Sequence, residues 1–185
     1  MHGTIFFHLQ GFAEKVLGPS GWKKLLEEAG MPMKVYSPAA AHADEDIIAL
    51  VKAACSLTKL SAAEVLGAFG EYLAAELLAL YPQLIRPDWR TLDVVSNTEH
   101  AIHTVVRAKN LDATPPVLRA QRVSHDQVHL VYASPRQMCT LVKGIVKGKR
   151  HPPEALHFAY YLARHARTRH RELQIRRTHH SQLRR

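Results

Sequence analysis

The stretch VHLVYASPR, residues 128–136, alternates like a β-strand and then presents an unusual row of polar side chains. Tyr132, Ser134 and Arg136 occupy alternate positions, and alternate side chains of a strand share one face at steps of about 7 Å. That face would carry a phenol, a hydroxyl and a guanidinium, all of which donate hydrogen bonds. Such a row is typical of the solvent-facing side of a half-buried strand, but it also suits the binding of a carboxylate.

The residues around this strand predict a small sheet with helices beside it. Residues 117–124 form a partner strand, joined to the first at His125 and Asp126 as a hairpin. Helices are predicted at 137–148 and 153–167, and ELQIRRTHH, residues 172–180, predicts one last strand.

Helices predominate in the first two-thirds of the chain. They are predicted at 4–16, 21–29, 44–57, 61–80 and 91–109. Ser20 is expected to cap the second helix, and Ser61 with Glu64 forms a capping-box signature at the start of the fourth. The predicted fold class is therefore α+β, with a helical N-terminal subdomain followed by a C-terminal subdomain of antiparallel sheet and helices.

Length and composition restrict the class of protein. The 185 residues, of which 46% are hydrophobic and 22% charged, suit one globular domain with a real core. No apolar run is long enough to cross a membrane, and the start lacks the pattern of a secretory leader. Two cysteines, Cys55 and Cys139, are too few for a disulfide framework, so a cytoplasmic protein is expected.

The net charge of +9 is concentrated at the end of the chain. Residues 164–185 contain eight arginines and one acidic residue, Glu172. A basic tail supplies the electrostatic part of nucleic-acid binding, but no recognition module accompanies it. A nucleic-acid-binding protein is therefore an alternative that steeply salt-dependent binding to DNA or RNA would support.

Two histidines of the 91–109 helix fall on different faces. The apolar stripe of this helix consists of Leu92, Val95, Ile102 and Val106. His103 lies on that stripe, whereas His100 aligns with the polar face. An inward histidine is most often a hydrogen-bonded core residue, but a single imidazole is also a common axial ligand of haem iron. Haem also carries two propionates, so it would explain both His103 and the polar row of the opening strand.

Four stretches together resemble one family, the H-NOX (haem nitric oxide/oxygen binding, HNOB) domain, which is related to the N-terminal domain of soluble guanylate cyclase. They are Y-x-S-x-R at 132–136, AIHTVVRAKNLDATPPVLRA at 101–120, LSAAEVLGAFGEYL at 60–73 and MHGTIFFHLQGF at 1–12. The likeness is to the stand-alone bacterial type and runs from residue 1 to about 148. It implies the H-NOX fold, with haem b between the two subdomains.

The resemblance implies roles for ten residues. His103 would bind the iron, and Tyr132, Ser134 and Arg136 would bind the propionates. Pro116 would press on the porphyrin and distort it, and Ile5 would pack against a haem face. The residues around the bound gas would be Leu73, Leu77, Leu141 and Ile145. Oxygen-binding relatives carry a tyrosine at the position of Leu141, so leucine there implies a preference for NO and CO over O₂. An O₂ sensor is the alternative, since a one-residue shift of the alignment would turn Tyr72 inward.

The implied function is a gas sensor and not an enzyme. NO would bind opposite His103 and weaken or break its bond to iron, which would shift that helix against the N-terminal helices. The signal would pass to a separate protein, by the resemblance a histidine kinase or a cyclic-di-GMP enzyme. A haem enzyme with peroxidase-like or NO-dioxygenase activity is the remaining alternative. Cleavage of an O–O bond requires a polar acid–base pair beside the bound gas, which this sequence does not supply.

The expected domain organisation is a single H-NOX domain over 1–185, divided into a helical part (1–60), a haem-binding part (61–178) and a basic tail (179–185). The end of the chain departs from the family pattern. Related stand-alone domains continue into two further strands, some with a cysteine-rich zinc site, whereas this sequence predicts one strand and contains no cysteine there. A sheet that is one strand short, without zinc, is therefore expected.

Overall fold

A computed structural model of the chain describes residues 1–109, 112–148, 160–163 and 170–176. For residues 160–163 and 170–176 the structure describes the backbone and its strand pairing only. Among these residues, no helix is both long enough and apolar enough to cross a membrane.

Four helices form the N-terminal part, close to the predicted bounds. They are α1 (Gly3–Leu17), α2 (Gly21–Glu28), α3 (Asp44–Thr58) and α4 (Ala62–Leu80). The predicted capping box of α4 is present, with Ser61 and Glu64 each bonding the other's backbone N–H. The predicted cap of α2 is wrong in one respect, because the Ser20 side chain makes no capping hydrogen bond.

The predicted helix at 91–109 is interrupted. It comprises α5 (Thr91–Asn97), a π-helical segment (Thr98–His103) and α6 (Thr104–Lys109). In the π-helical segment the backbone N–H of Thr104 donates to the carbonyl of Glu99, five residues earlier. Single π-helical turns inside α-helices occur frequently at functional sites.

The sheet has four antiparallel strands in the order β1-β2-β4-β3. They are β1 (Val117–Ser124), β2 (Gln127–Ala133), β3 (Tyr160–Ala163) and β4 (His170–Arg176). The predicted hairpin of β1 and β2 is confirmed, with Val117 opposite Ala133.

Two predictions for the end of the chain are wrong. Residues 160–163 are a strand and not part of a helix at 153–167, so the sheet is not a strand short. The reason is non-local, because β4 pairs with β2 across 37 to 49 residues of chain, from Ala133 opposite His170 to Gln127 opposite Arg176, and then provides an edge for β3. The other residues of that predicted helix, and residues 177–180 of the predicted last strand, lie outside the described residues.

Helix α7 (Cys139–Gly148) packs along α4 and separates two clusters of buried side chains. One cluster lies among the N-terminal helices and includes Phe6, Leu50, Phe69 and Leu141. The other lies against the sheet and includes Leu92, Val128, Leu130 and Val146. The two helices approach so closely that a Cβ added at Gly144 would lie 2.2 Å from the Gly67 carbonyl oxygen.

Candidate functional site

A large cavity lies between the two clusters, walled mainly by apolar side chains from both. All ten residues singled out from the sequence line it: Ile5, Leu73, Leu77, His103, Pro116, Tyr132, Ser134, Arg136, Leu141 and Ile145. They come from α1, α4, the π-helical segment, the turn before β1, the end of β2 and α7. The structure thus brings the predicted site residues together, and their contact with haem stays a prediction.

His103 occupies one wall of the cavity, while His100 is exposed, as the helical pattern predicts. The Nδ1 atom of His103 lies 3.0 Å from Oε2 of Glu99. A carboxylate only accepts hydrogen bonds, so Nδ1 carries the proton in this pair and Nε2 is the ring nitrogen that can bind a metal. Burial lowers the pKa of His103, although Glu99 and the Pro116 carbonyl act in the opposite direction.

Glu99 is a site residue that the sequence analysis missed. Its Oε2 also accepts the backbone N–H of Leu118 at 2.9 Å, and its Oε1 accepts from Nη2 of Arg107 at 2.6 Å. Burial raises the pKa of Glu99, but the hydrogen bonds from Leu118, Arg107 and His103 outweigh it and leave the pKa below its ordinary value. Glu99 is therefore a carboxylate at neutral pH, held between the π-helical segment, α6 and β1.

The polar row of the opening stretch faces the cavity and not the solvent. Tyr132 is 4% exposed and Ser134 6% exposed, and the side chain of Arg136 is 10% exposed. The row is not one strand face, however, because β2 ends at Ala133 and the chain turns at Pro135. The Ser134 hydroxyl accepts the Arg136 backbone N–H at 3.3 Å, which fixes this turn. Burial raises the pKa of Tyr132, so its hydroxyl stays a hydrogen-bond donor.

Arg136 connects this end of the cavity to two other parts of the chain. Its Nε donates to Oδ1 of Asp44 at 2.8 Å, and its two Nη atoms donate to the carbonyl and hydroxyl of Thr114 at 2.9 and 2.8 Å. Asp44, in the first turn of α3, also accepts from the ammonium group of Met1 at 2.6 Å. Burial raises the pKa of Asp44, but these two cations outweigh it and lower the pKa overall.

The wall on the side of Leu141 is apolar, and Tyr72 is not part of it. The Tyr72 ring packs on Phe12, with centroids 5.5 Å apart, and a Cβ at Gly11 would lie 2.9 Å from its hydroxyl. Tyr72 therefore points towards α1. Further polar residues that the sequence analysis did not consider also line the cavity, among them Tyr81 and His2. Nε2 of His2 is buried and has no hydrogen-bond partner within the described part of the chain.

These features fit a haem better than a multi-ligand metal ion. Within the described residues no group of three or more histidine, cysteine or acidic side chains could hold a metal ion. Haem iron needs one protein nitrogen, a large apolar slot and donors for its carboxylates. His103, the apolar walls and the Tyr132, Ser134 and Arg136 donors meet these needs. The basic tail at 179–185 lies outside the described residues.

Comparisons with known proteins agree with this fold. The sequence matches the model of a family described as Haem-NO-binding, HNOB, over residues 2–150. The comparison with curated proteins gave no match.

Solved H-NOX structures have the same fold. A crystal structure of an H-NOX protein from S. oneidensis in the Fe(II)NO ligation state is 23% identical, with 97% of this chain and 100% of that chain covered and a TM-score of 0.86. An NMR structure of the Shewanella oneidensis domain in the Fe(II)CO state is 23% identical, with coverage of 96% and 99% and a TM-score of 0.83. The Fe(II) unliganded H-NOX protein from K. algicida is 16% identical, with coverage of 100% and 100% and a TM-score of 0.80.

Proposed function

This chain belongs to the haem-NO-binding family, HNOB, and from that premise we propose that it holds haem b through His103 and senses nitric oxide. The observation that carries the proposal is that His103 lines the same cavity as Tyr132, Ser134 and Arg136. An imidazole and a cluster of buried donors around one apolar slot match the two chemically different parts of haem.

Each of these side chains has a distinct task. His103 presents Nε2 to the cavity because Glu99 occupies Nδ1. Tyr132, Ser134 and Arg136 provide neutral and charged donors for carboxylates, and Arg136 is already held at Asp44 and Thr114. Bound haem iron would supply the site at which the gas binds.

The apolar wall around Leu141 supports a preference for NO and CO. Bound O₂ carries partial negative charge and gains from a hydrogen-bond donor, whereas NO depends on one far less. The residues on that wall are Ile5, Leu73, Leu77, Leu141 and Ile145. None of these side chains contains a hydrogen-bond donor.

The same cavity supports signalling by a conformational change. Asp44 joins Arg136 to α3 and to Met1, just before α1, so a movement of the cavity lining would reach the N-terminal helices through these contacts. We infer that a separate protein receives the signal, a histidine kinase or a cyclic-di-GMP enzyme being the partner that the family resemblance implies. Both cysteines are free thiols, which supports a cytoplasmic setting.

O₂ binding is the second candidate function, and it rests on Tyr81. This tyrosine lines the cavity at the end of α4, where its hydroxyl is a potential donor to a polar ligand. The candidate predicts a stable O₂ complex in the natural protein that is lost in Tyr81→Phe.

The test is the absorption spectrum of the purified, reduced protein before and after addition of NO, CO and air. We expect a haem band that shifts with NO and CO but not with air. In His103→Gly we expect this haem to be lost, or to be retained only with added imidazole, which replaces the missing side chain. His100→Gly is the matched control, because it removes an exposed imidazole three residues earlier in the same helix.

Two outcomes would contradict the proposal. If protein produced with a haem supply contains no haem, both the proposed cofactor and the proposed function are wrong. If His103→Gly binds haem equally well without imidazole, His103 is not the iron ligand. A stable O₂ complex would instead favour the second candidate.

A further inference from the structure

The proposed function uses Glu99 only to orient His103, but the contacts of Glu99 indicate a larger role. Its carboxylate accepts three hydrogen bonds, from Nδ1 of His103, the backbone N–H of Leu118 and Nη2 of Arg107. The side chain is only 19% exposed. A glutamate that served only solubility would be exposed to solvent and would not accept three hydrogen bonds from the protein.

The local backbone explains how Glu99 reaches all three donors. The carbonyl of Glu99 accepts from the backbone N–H of Thr104 and, at 3.1 Å, from the Thr104 hydroxyl, which fixes the π-helical turn. This turn places Glu99 between His103 and the start of β1. The Leu118 N–H then holds the same carboxylate oxygen that faces the imidazole.

A carboxylate on Nδ1 changes what Nε2 can do. It draws the Nδ1 proton towards itself, which fixes the tautomer and ring orientation and makes Nε2 a stronger electron donor. Donors on the carboxylate oppose this effect, because they share its negative charge. Arg107 is the strongest of them, since it is a cation at 2.6 Å from the other oxygen.

We propose that Glu99 is a positioning residue that strengthens the bond between His103 and iron and so sets how readily NO breaks it, with Arg107 moderating its effect. The proposal rests on the proposed function, because it requires that His103 bind haem iron. Through its bond to Leu118, Glu99 would also hold the His103 ring beside β1, close to the position from which it would bind iron.

The test compares Glu99→Gln with the natural protein by resonance Raman spectroscopy of the reduced, haem-bound state. Glutamine keeps an acceptor for Leu118 but removes the charge that polarises His103. We expect the iron–histidine stretching band to move to lower frequency and histidine release after NO addition to accelerate. Removal of such a partner typically lowers metal affinity or activity by about 10- to 100-fold. Glu71→Gln is the matched control, since it removes an exposed carboxylate on α4 that pairs with Lys147.

A second variant separates the charge effect from a general loss of structure. Arg107→Met leaves Glu99 with more of its charge for His103, so the stretching band should move to higher frequency, opposite to Glu99→Gln. An unchanged band in Glu99→Gln, or a shift in the same direction in both variants, would overturn the role of Glu99 while leaving haem binding by His103 intact. If the natural protein shows no iron–histidine band at all, both the proposed function and the role of Glu99 are wrong.

Discussion

At the scale of single residues, ligand choice depends on what the side chain at position 141 offers to a bound gas. Leu141 is buried in the cavity wall and offers no donor. We predict that Leu141→Tyr forms an O₂ complex in air that the natural protein does not form. A hydrogen bond to a partly charged acceptor contributes about 1.5–3 kcal/mol, which corresponds to about 10- to 150-fold in O₂ affinity. Absorption spectra of the reduced protein in air measure this directly.

Leu141→Phe is the control for that change, because phenylalanine has nearly the same volume as tyrosine but no hydroxyl. Both variants overfill a buried position and should lose about 1–3 kcal/mol of stability. Equal O₂ binding in the two variants would mean that size and not hydrogen bonding governs selectivity, and that Leu141 does not face the gas.

Residues also show how far sequence alone could lead to the site. His103 was predictable because the apolar stripe of its helix is a local, periodic signal. Glu99 was not, since its role depends on the Leu118 N–H, which arrives from β1 through the tertiary fold. The buried setting of Tyr132 and Ser134 was ambiguous for the same reason, because a polar row on a strand looks alike whether it faces water or a cavity.

At the scale of helices and strands, α4 and α7 pack closely against each other beside the cavity. Both helices line it, and their backbones meet at Gly67, Gly70 and Gly144. We predict that Gly144→Ala forces the helices apart, because its Cβ would lie 2.2 Å from the Gly67 carbonyl oxygen. The expected cost is about 1–3 kcal/mol of unfolding free energy, measured by urea denaturation, with a parallel loss of haem content.

The neighbouring glycine provides a matched control for that prediction. A Cβ at Gly67 would meet no atom within 4 Å, so Gly67→Ala should stabilise α4 by about 0.5–1 kcal/mol through its better helix propensity. If Gly144→Ala is as stable as Gly67→Ala, the two helices are not in the close contact described above.

Elements with local signals were predictable, and elements with distant partners were not. The Ser61–Glu64 capping box and the two-residue connection at His125 and Asp126 are encoded within a few residues. Strand β3 lies in a stretch whose sequence predicts a helix, because its partner, β4, lies 9 to 15 residues further along and pairs in turn with β2. The π-helical segment has no periodic signature of its own and becomes visible only through the Thr104 to Glu99 hydrogen bond.

At the scale of the whole molecule, stability should depend on pH through histidines that the fold keeps neutral. His8 lies in the interface of α1 and α4 and is 7% exposed, with Nδ1 3.6 Å from Oε2 of Glu76. Burial lowers the pKa of His8 from its ordinary 6.5, and the attraction of Glu76 only partly opposes it. Burial likewise lowers the pKa of His103.

The sign of the effect follows from which state binds more protons. Below a pH of about 6.5 the unfolded chain protonates His8 while the folded chain does not, so folding stability present at pH 7 is lost as the pH falls. Asp44 and Glu99 have lowered pKa values and ordinary values of 3.8 and 4.5, so their contribution is lost at still lower pH. Between pH 7 and pH 5 the loss therefore belongs to the buried histidines.

We predict that His8→Gln has a smaller loss of unfolding free energy between pH 7 and pH 5 than the natural protein, as measured by urea denaturation at both values. Each unit by which the pKa of His8 is lowered is worth about 1.4 kcal/mol of this difference once the pH is below the folded pKa. The remaining loss in His8→Gln is expected from His103. His100→Gln should retain the full pH dependence of the natural protein, because His100 is exposed. Identical losses in His8→Gln and the natural protein would show instead that the ion pair with Glu76 compensates for burial, and that the interface of α1 and α4 accepts a charged imidazole.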